Sequence, residues 1–413
     1  MVVDRTQREK LLRKVSRLVE DKYFNPEFDV QKWRHLVDTR APTILDGGSA
    51  EDFEHRMHDL VSQLGSSHTA FYHRNWRPLP PRQSICATLQ QCETQDGLRW
   101  MLQDVQEGGP AYGAGLRQGD LLIGVDAEEI RPPGRVLLRP GRTAKLQVRK
   151  ADGTEVSVDL EIPLLKSKRP FSTPQAVIGS TLEPNIGYLK INMFPGIVGV
   201  DVARDIDRAI ASFRDCDRLI VDLRGNSGGG IGCLRLMSYL TPEKLPIGYS
   251  LSRARAKKGY KKEELTRFER IPARKIGLLW LVLRYGFVDH SVALFTEGLG
   301  SKKFHGRIAM LVNEHSASAS EMVAAFAADN RLAKIVGTST PGRLVGSKAF
   351  KVGHGYFLIL PVGAYVTWQG KRLEGQGIKP ETEVPLSYEA ISNGRDNQLD
   401  AAVEIVRHLA IIS

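Results

Sequence analysis

Cysteine is scarce in this chain: Cys86, Cys92, Cys216 and Cys233 are the only four in 413 residues. They fall in no metal-binding or redox spacing, so neither a zinc module nor a thiol couple organises the protein. Cys86 and Cys92 could approach across a hairpin, but spacing alone assigns no bond. Aromatic residues are also few, at 7 %. Although net charge is +11, no aromatic-rich RNA motif, zinc spacing or basic recognition helix accompanies it, which argues against a nucleic-acid partner. Much of the excess is local, with ten Lys/Arg against three Glu over 253–275. Long apolar runs are missing too. The longest, 276–283, is far short of the roughly twenty residues that span a bilayer. The first turn of the chain (Asp4, Arg5, Arg8, Glu9, Lys10) is charged and has no signal-peptide core. The expectation is a cytoplasmic chain, or an exported one whose signal has been removed.

The length suits two or three domains with real cores. An amphipathic helix is expected over 6–22, with Leu11, Leu12, Val15, Leu18 and Val19 on one face. A second runs from Ser49 to about Leu64 and stops at Gly65. After Gly65-Ser66-Ser67-His68-Thr69 come Pro78, Pro80 and Pro81, a domain-boundary signal. Short strands and turns fill 84–163. From 186 onward strands such as 186–191 alternate with helices, and strands over 334–336, 357–360 and 364–367 are expected to finish the same sheet, an α/β organisation that puts functional loops at strand ends.

The most informative stretch is Asn313-Glu314-His315-Ser316-Ala317-Ser318-Ala319-Ser320-Glu321. It joins a strand-like run (Ile308 to Val312) to a helix-like one beginning at Met322. A serine at such a turn exposes its hydroxyl beside backbone N–H groups able to hold an oxyanion. Helix capping would need one serine, not three. Gly225-Asn226-Ser227-Gly228-Gly229-Gly230 lacks the Lys-Ser/Thr ending of a phosphate loop. Gly228 or Gly229 could instead supply one amide of an oxyanion hole, with Ala319 supplying the other.

Gly109-Pro110-Ala111-Tyr112-Gly113-Ala114-Gly115-Leu116 followed by Gly119-Asp120-Leu121-Leu122-Ile123-Gly124-Val125 resembles a PDZ domain. Such domains bind an extended peptide as an added strand. The usual carboxylate loop would fall at Ser84, Ile85, Cys86 and Ala87, without its glycines. Together with Asp222-Leu223-Arg224-Gly225-Asn226-Ser227-Gly228-Gly229, the serine turn and Leu373-Glu374-Gly375-Gln376-Gly377-Ile378-Lys379-Pro380, this module stands in the order found in S41 peptidases. These are the C-terminal processing and tricorn-like proteases, and the resemblance covers roughly residues 50–390.

The resemblance implies an N-terminal helical region over 1–80, a PDZ domain over 84–163 and a catalytic core over 170–413 with a basic insertion at 250–300. It implies an open mixed β-sheet with flanking helices, crotonase-like, and a serine endopeptidase acting on extended polypeptides without cofactor or metal. Ser318 is then the nucleophile. C-terminal processing proteases place a lysine 25 residues beyond it, where this chain has Arg343, which stays protonated and cannot be a base. The tricorn-like pattern fits better, with His68 as base, Glu374 as the acidic member and Ser67 beside the histidine. Lys348 and His315 are the rival bases. Two other readings are a catalytically inactive peptide-binding scaffold, and membrane-surface contact through 253–275 with Trp280, Tyr285 and Phe287. Against the last stands the ordinary solvated insertion.

Overall fold

The computed structural model describes residues 3–46, 48–74, 79–164, 175–279, 281 and 291–409. Trp280, Tyr285 and Phe287 lie outside the described residues. Two compact units are built from interleaved segments: 1–77 with 243–298 and 342–377, and 78–242 with 299–341 and 378–413.

The first unit opens with helices Arg5–Lys22, Val30–Leu45 and Ala50–Ser62. Asp4 and Gln7 form a reciprocal capping box on the first, and Ser49 and Asp52 on the third. The apolar face expected on the first helix is inside, with Leu11, Leu12, Val15 and Val19 buried. The middle helix is not apparent in the sequence because Pro42 lies within it; Asp29 caps its start and Trp33, Val37 and Ile44 hold it by burial. These helices share a core with Phe71, Tyr356, Leu358 and Leu360 of a six-stranded sheet. Its order is Ala70–His73, Tyr356–Thr367, Pro246–Leu251, Val292–Phe295 and Thr266–Phe268, with Val345–Gly353 also paired to Tyr356–Thr367. The runs 357–360 and 364–367, expected as two strands completing one sheet with 186–191, are a single strand in a different sheet. Pro361 does not interrupt it because the partner strand's register shifts between Gly346 and Ser347, beside the proline.

The second unit holds a sheet ordered Thr382–Glu383, Lys334–Gly337, Arg307–Val312, Arg218–Asp222, Ile186–Ile191 and Val177–Glu183. All neighbours are parallel except the last pair. Near-continuous apolar runs such as Leu219-Ile220-Val221 are what such buried strands require. Ala402 and Val406 of the helix Asn397–His408 pack on Ile220, Ala309 and Leu311.

The same unit contains an antiparallel β-module ordered Ala87–Thr94, Gly97–Val105, Leu121–Val125, Thr143–Arg149 and Glu155–Glu161, with Glu128–Glu129 on Leu121–Val125. The short helix Pro110–Gly113 opens with proline at its first turn, as its sequence requires. Lys190 of the parallel sheet meets Asp104 of the module at 2.6 Å. The four cysteines are free thiols. Among the described residues, no helix is long and apolar enough to cross a membrane.

Candidate active site

In the second unit Ser318 occupies the N-cap of the helix Ala319–Asp329, immediately after the buried strand Arg307–Val312. Its backbone is held at φ 58°, ψ −116°, a conformation non-glycine residues adopt only when their surroundings enforce it. The enforcing bonds are clear. Asn313 Oδ1 accepts from Gly225 N (3.0 Å) and His315 N (3.1 Å). Ser316 Oγ donates to Leu223 O (2.8 Å) and accepts from Asn313 N (2.9 Å). Ser320 Oγ and Ala317 N both donate to Asn226 O, at 3.0 and 2.9 Å. Ser318 N donates to Glu321 Oε2 at 2.9 Å, while the buried Glu321 also accepts from Thr340 Oγ1 at 2.7 Å. Ser316 and Ser320 are thus tied to neighbouring main chain.

The glycine turn abuts that serine. A Cβ on Gly228 would lie 2.6 Å from Ser318 Cβ and 2.8 Å from Ala319 N, so only glycine allows the approach. Asn226, wholly buried, holds the turn by donating from Nδ2 to Ile191 O and accepting from Gly228 N, both at 2.8 Å. The Gly228 amide is therefore committed to Asn226 and is not available to an oxyanion, which corrects one of the two glycine assignments. The bridge to Phe194 uses the N–H groups of Phe194 and Gly230, and not that of Gly229. Gly229 and Ala319 remain the candidate donors.

In the first unit, Ser67, His68 and Glu374 come together although they are far apart in sequence. Glu374 Oε1 accepts from Ser67 N (2.6 Å), and Oε2 accepts from Ser67 Oγ (2.8 Å) and Leu344 N (2.9 Å). Ser67 Oγ lies 2.9 Å from His68 Nδ1. A hydroxyl carries one proton. Since Ser67 gives its proton to the carboxylate, it must accept from Nδ1–H, and the imidazole then carries a bare lone pair on Nε2. Burial lowers the His68 pKa, against the opposing charge of Glu374 and with a smaller lowering from Arg343. Tyr23 supports the preceding turn, donating to Leu64 O at 3.0 Å and bonding to Ser66 Oγ.

The rival bases sit otherwise. Lys348 is exposed, its ammonium 5.6 Å from the Phe350 ring centroid. His315 donates from Nε2 to Leu89 O of the β-module at 2.9 Å. Arg343 is exposed. In the module, the side chains of Ser84, Ile85, Cys86 and Ala87 are buried; Ile85 O and Cys86 O accept from Ala111 N (3.1 Å) and Gln106 N (3.0 Å). A ligand at that segment would meet main chain. Sequence reasoning passed over Asn226, Asn313, Glu321 and Thr340. Glu321 had a readable signal, standing three residues after Ser318 at capping-box spacing; the partners of the other three lie across the fold.

Comparison with known proteins bears on part of this arrangement. Residues 185–384 match the family model described as Peptidase family S41. This segment is a peptidase family S41 domain. Ser318, the glycine turn and Glu374 lie within the S41 domain, while Ser67, His68 and the β-module precede it. The chain is 22 % identical to "Tricorn protease homolog 1" of Streptomyces coelicolor over 94 % of its own length and 34 % of that protein's. It is 24 % identical to the "Carboxyl-terminal-processing protease" of Synechocystis over 97 % of its length and 87 % of the relative's. It thus spans about a third of the two Streptomyces relatives it matches. A solved photosystem II D1 C-terminal processing protease shares the fold at TM-score 0.57 and 16 % identity, covering 98 % of both chains. Mature CPAF does so at TM-score 0.59 and 15 % identity, over 98 % of this chain and 99 % of its own.

Proposed function

We propose that this chain is a serine endopeptidase that cleaves extended or unfolded polypeptides. The observation that carries the reading is the Glu374–Ser67–His68 relay, which leaves an unprotonated Nε2 on a neutral imidazole. Ser318 Oγ attacks the scissile carbonyl carbon and its proton passes to His68 Nε2. The tetrahedral oxygen takes hydrogen bonds from the Gly229 and Ala319 N–H groups. His68 then returns the proton to the amine as the C–N bond breaks, leaving an ester on Ser318. Water, deprotonated by the same imidazole, attacks the ester carbon, and the imidazolium returns that proton to Ser318 Oγ as the C–O bond breaks and the new carboxylate leaves. Glu374 stabilises the imidazolium through Ser67. No metal or organic cofactor enters this scheme.

Residues 84–163 are read as a PDZ module whose edge strand Ala87–Thr94 receives substrate as an added strand. Support comes from its antiparallel order, the short helix Pro110–Gly113 and the outer edge of Ala87–Thr94, on which no further strand pairs among the described residues.

A fluorophosphonate probe should label the purified chain at Ser318, located by peptide mapping. Ser318→Ala and His68→Ala should both abolish labelling and cleavage of casein while keeping the folded circular-dichroism spectrum. Full casein cleavage by a folded Ser318→Ala variant would overturn the assignment.

A further inference from the structure

His315 stands three residues before Ser318, and the reaction scheme gives it no task. Its side chain reaches the β-module. The hairpin there joins Ala87–Thr94 to Gly97–Val105 through two residues, with Thr94 opposite Gly97. In such a hairpin the flanking pair is hydrogen-bonded, and bonded and non-bonded pairs then alternate. Cys92 with Arg99 and Gln90 with Met101 are bonded pairs; Glu93 with Leu98, Gln91 with Trp100 and Leu89 with Leu102 are not. Leu89, Gln91 and Glu93 therefore turn their N–H and C=O groups to the outer edge, where no further strand pairs among the described residues. Leu102 agrees with this phase, since its main chain bonds to Asp120 and Gly119 on its other side. Gln91 and Glu93 are exposed. On this edge the Leu89 carbonyl already has a donor, His315 Nε2 at 2.9 Å.

We infer that His315 is a built-in competitor of peptide docking: it occupies the Leu89 rung of the module's edge strand and ties that rung to the turn carrying Ser318. The inference rests on the proposed strand-addition role of the module. An extended peptide pairing along Ala87–Thr94 as far as Leu89 must offer its own N–H to the carbonyl that His315 holds. Docking and the His315 anchor are then linked, and linkage is reciprocal. The anchor weakens docking at that rung, and docking by the same factor loosens the anchor. The residue next to it is held too, since Glu314 accepts from Gln103 Nε2 of the module and from Thr338 Oγ1, both at 2.9 Å. Release of His315 therefore frees one tie between the turn and the module while the Glu314–Gln103 bond keeps another. His315 is in this sense a positioning residue.

The test uses the full chain carrying Ser318→Ala and a fluorescent, unstructured casein-derived peptide, with affinity read by anisotropy. His315→Ala should tighten binding about three- to tenfold, the value of one competing hydrogen bond. His315→Gln, which can place an N–H donor near the same point, should return affinity toward the parent. Gln91→Pro removes an outward N–H without touching the ladder to Gly97–Val105, and should weaken binding by a similar factor. With Ser318 intact, His315→Ala should lower KM for casein and leave KM for a four-residue substrate unchanged. If Gln91→Pro binds as tightly as the parent, strand addition to this edge is wrong, and the inference falls with it. If Gln91→Pro weakens binding but His315→Ala does not tighten it, the module reading stands and competition by His315 is refuted. An equal kcat loss on both substrates with unchanged peptide affinity would make His315 merely structural and also refute it.

Discussion

At the scale of the residue, the proposed base is a histidine pulled in opposite directions. Burial lowers the His68 pKa, Glu374 raises it and Arg343 lowers it. With the net shift downward, the neutral imidazole is the form favoured by folding. Its contribution to stability is present above the ordinary histidine value of about 6.5 and is lost as pH falls through the lower folded value. The acid limb of kcat/KM should accordingly lie below about 6.5. Arg343→Gln removes a like charge and should move that limb upward. Glu374→Gln should move it further down and reduce kcat on the order of 10²- to 10⁴-fold, as loss of the acidic member does in other triads. Stopped-assay pH profiles of the three proteins check both directions. Opposite movements would refute His68 as the titrating base, and a limb only above about pH 8 would favour a lysine.

At the scale of the element, two turns set the proposed nucleophile and oxyanion donors. The close approach of Gly228 to Ser318 and its φ of 92° leave no room for a methyl group. Gly228→Ala should displace the serine and lower kcat about 10²-fold, the usual cost of a misplacement near 1 Å. Fluorophosphonate labelling rates would report the same loss without a peptide substrate. The strand Val345–Gly353 offers the contrasting case. Lys348 lies exposed on it, its ammonium against the Phe350 ring. Lys348→Met should leave kcat/KM within about twofold of the parent, below the 10² of a lost general base.

At the scale of the whole molecule, the β-module is joined to the parallel sheet by an ion pair. Burial alone would lower the Lys190 pKa, but Asp104 and Asp222 reverse this and hold it above the ordinary lysine value. The pair at 2.6 Å keeps only 19 % and 15 % of its side-chain surface exposed. Asp104→Ala would leave the ammonium short of its nearest partner. The expected loss is about 2 to 3 kcal/mol, under the range for fully buried pairs because some solvent access remains. Urea unfolding of the full chain measures it, and Lys190→Met/Asp104→Ala together should recover part of the loss.

Much of this was legible in the sequence, for a local reason. The amphipathic period of the first helix, the strand Leu121–Val125, the strand Ile186–Ile191 and the serine turn are each specified by residues close in the chain. Periodicity and turn chemistry act over a few residues, so they can be read without a fold. The helix Val30–Leu45 escaped because Pro42 argues against it locally while Trp33, Val37 and Ile44 secure it by tertiary burial. The strand Tyr356–Thr367 looked divided because accommodation of Pro361 lies in a partner strand's register. The residue types of the candidate site were likewise visible, but their states were not. Only the fold brings Glu374 to Ser67 across 307 residues and so selects the His68 tautomer. Only the fold commits the Gly228 amide to Asn226 and seats His315 on the Leu89 carbonyl. Hydrogen bonds between distant segments depend on where strands and turns end in space, and that is decided by packing rather than by neighbours in sequence.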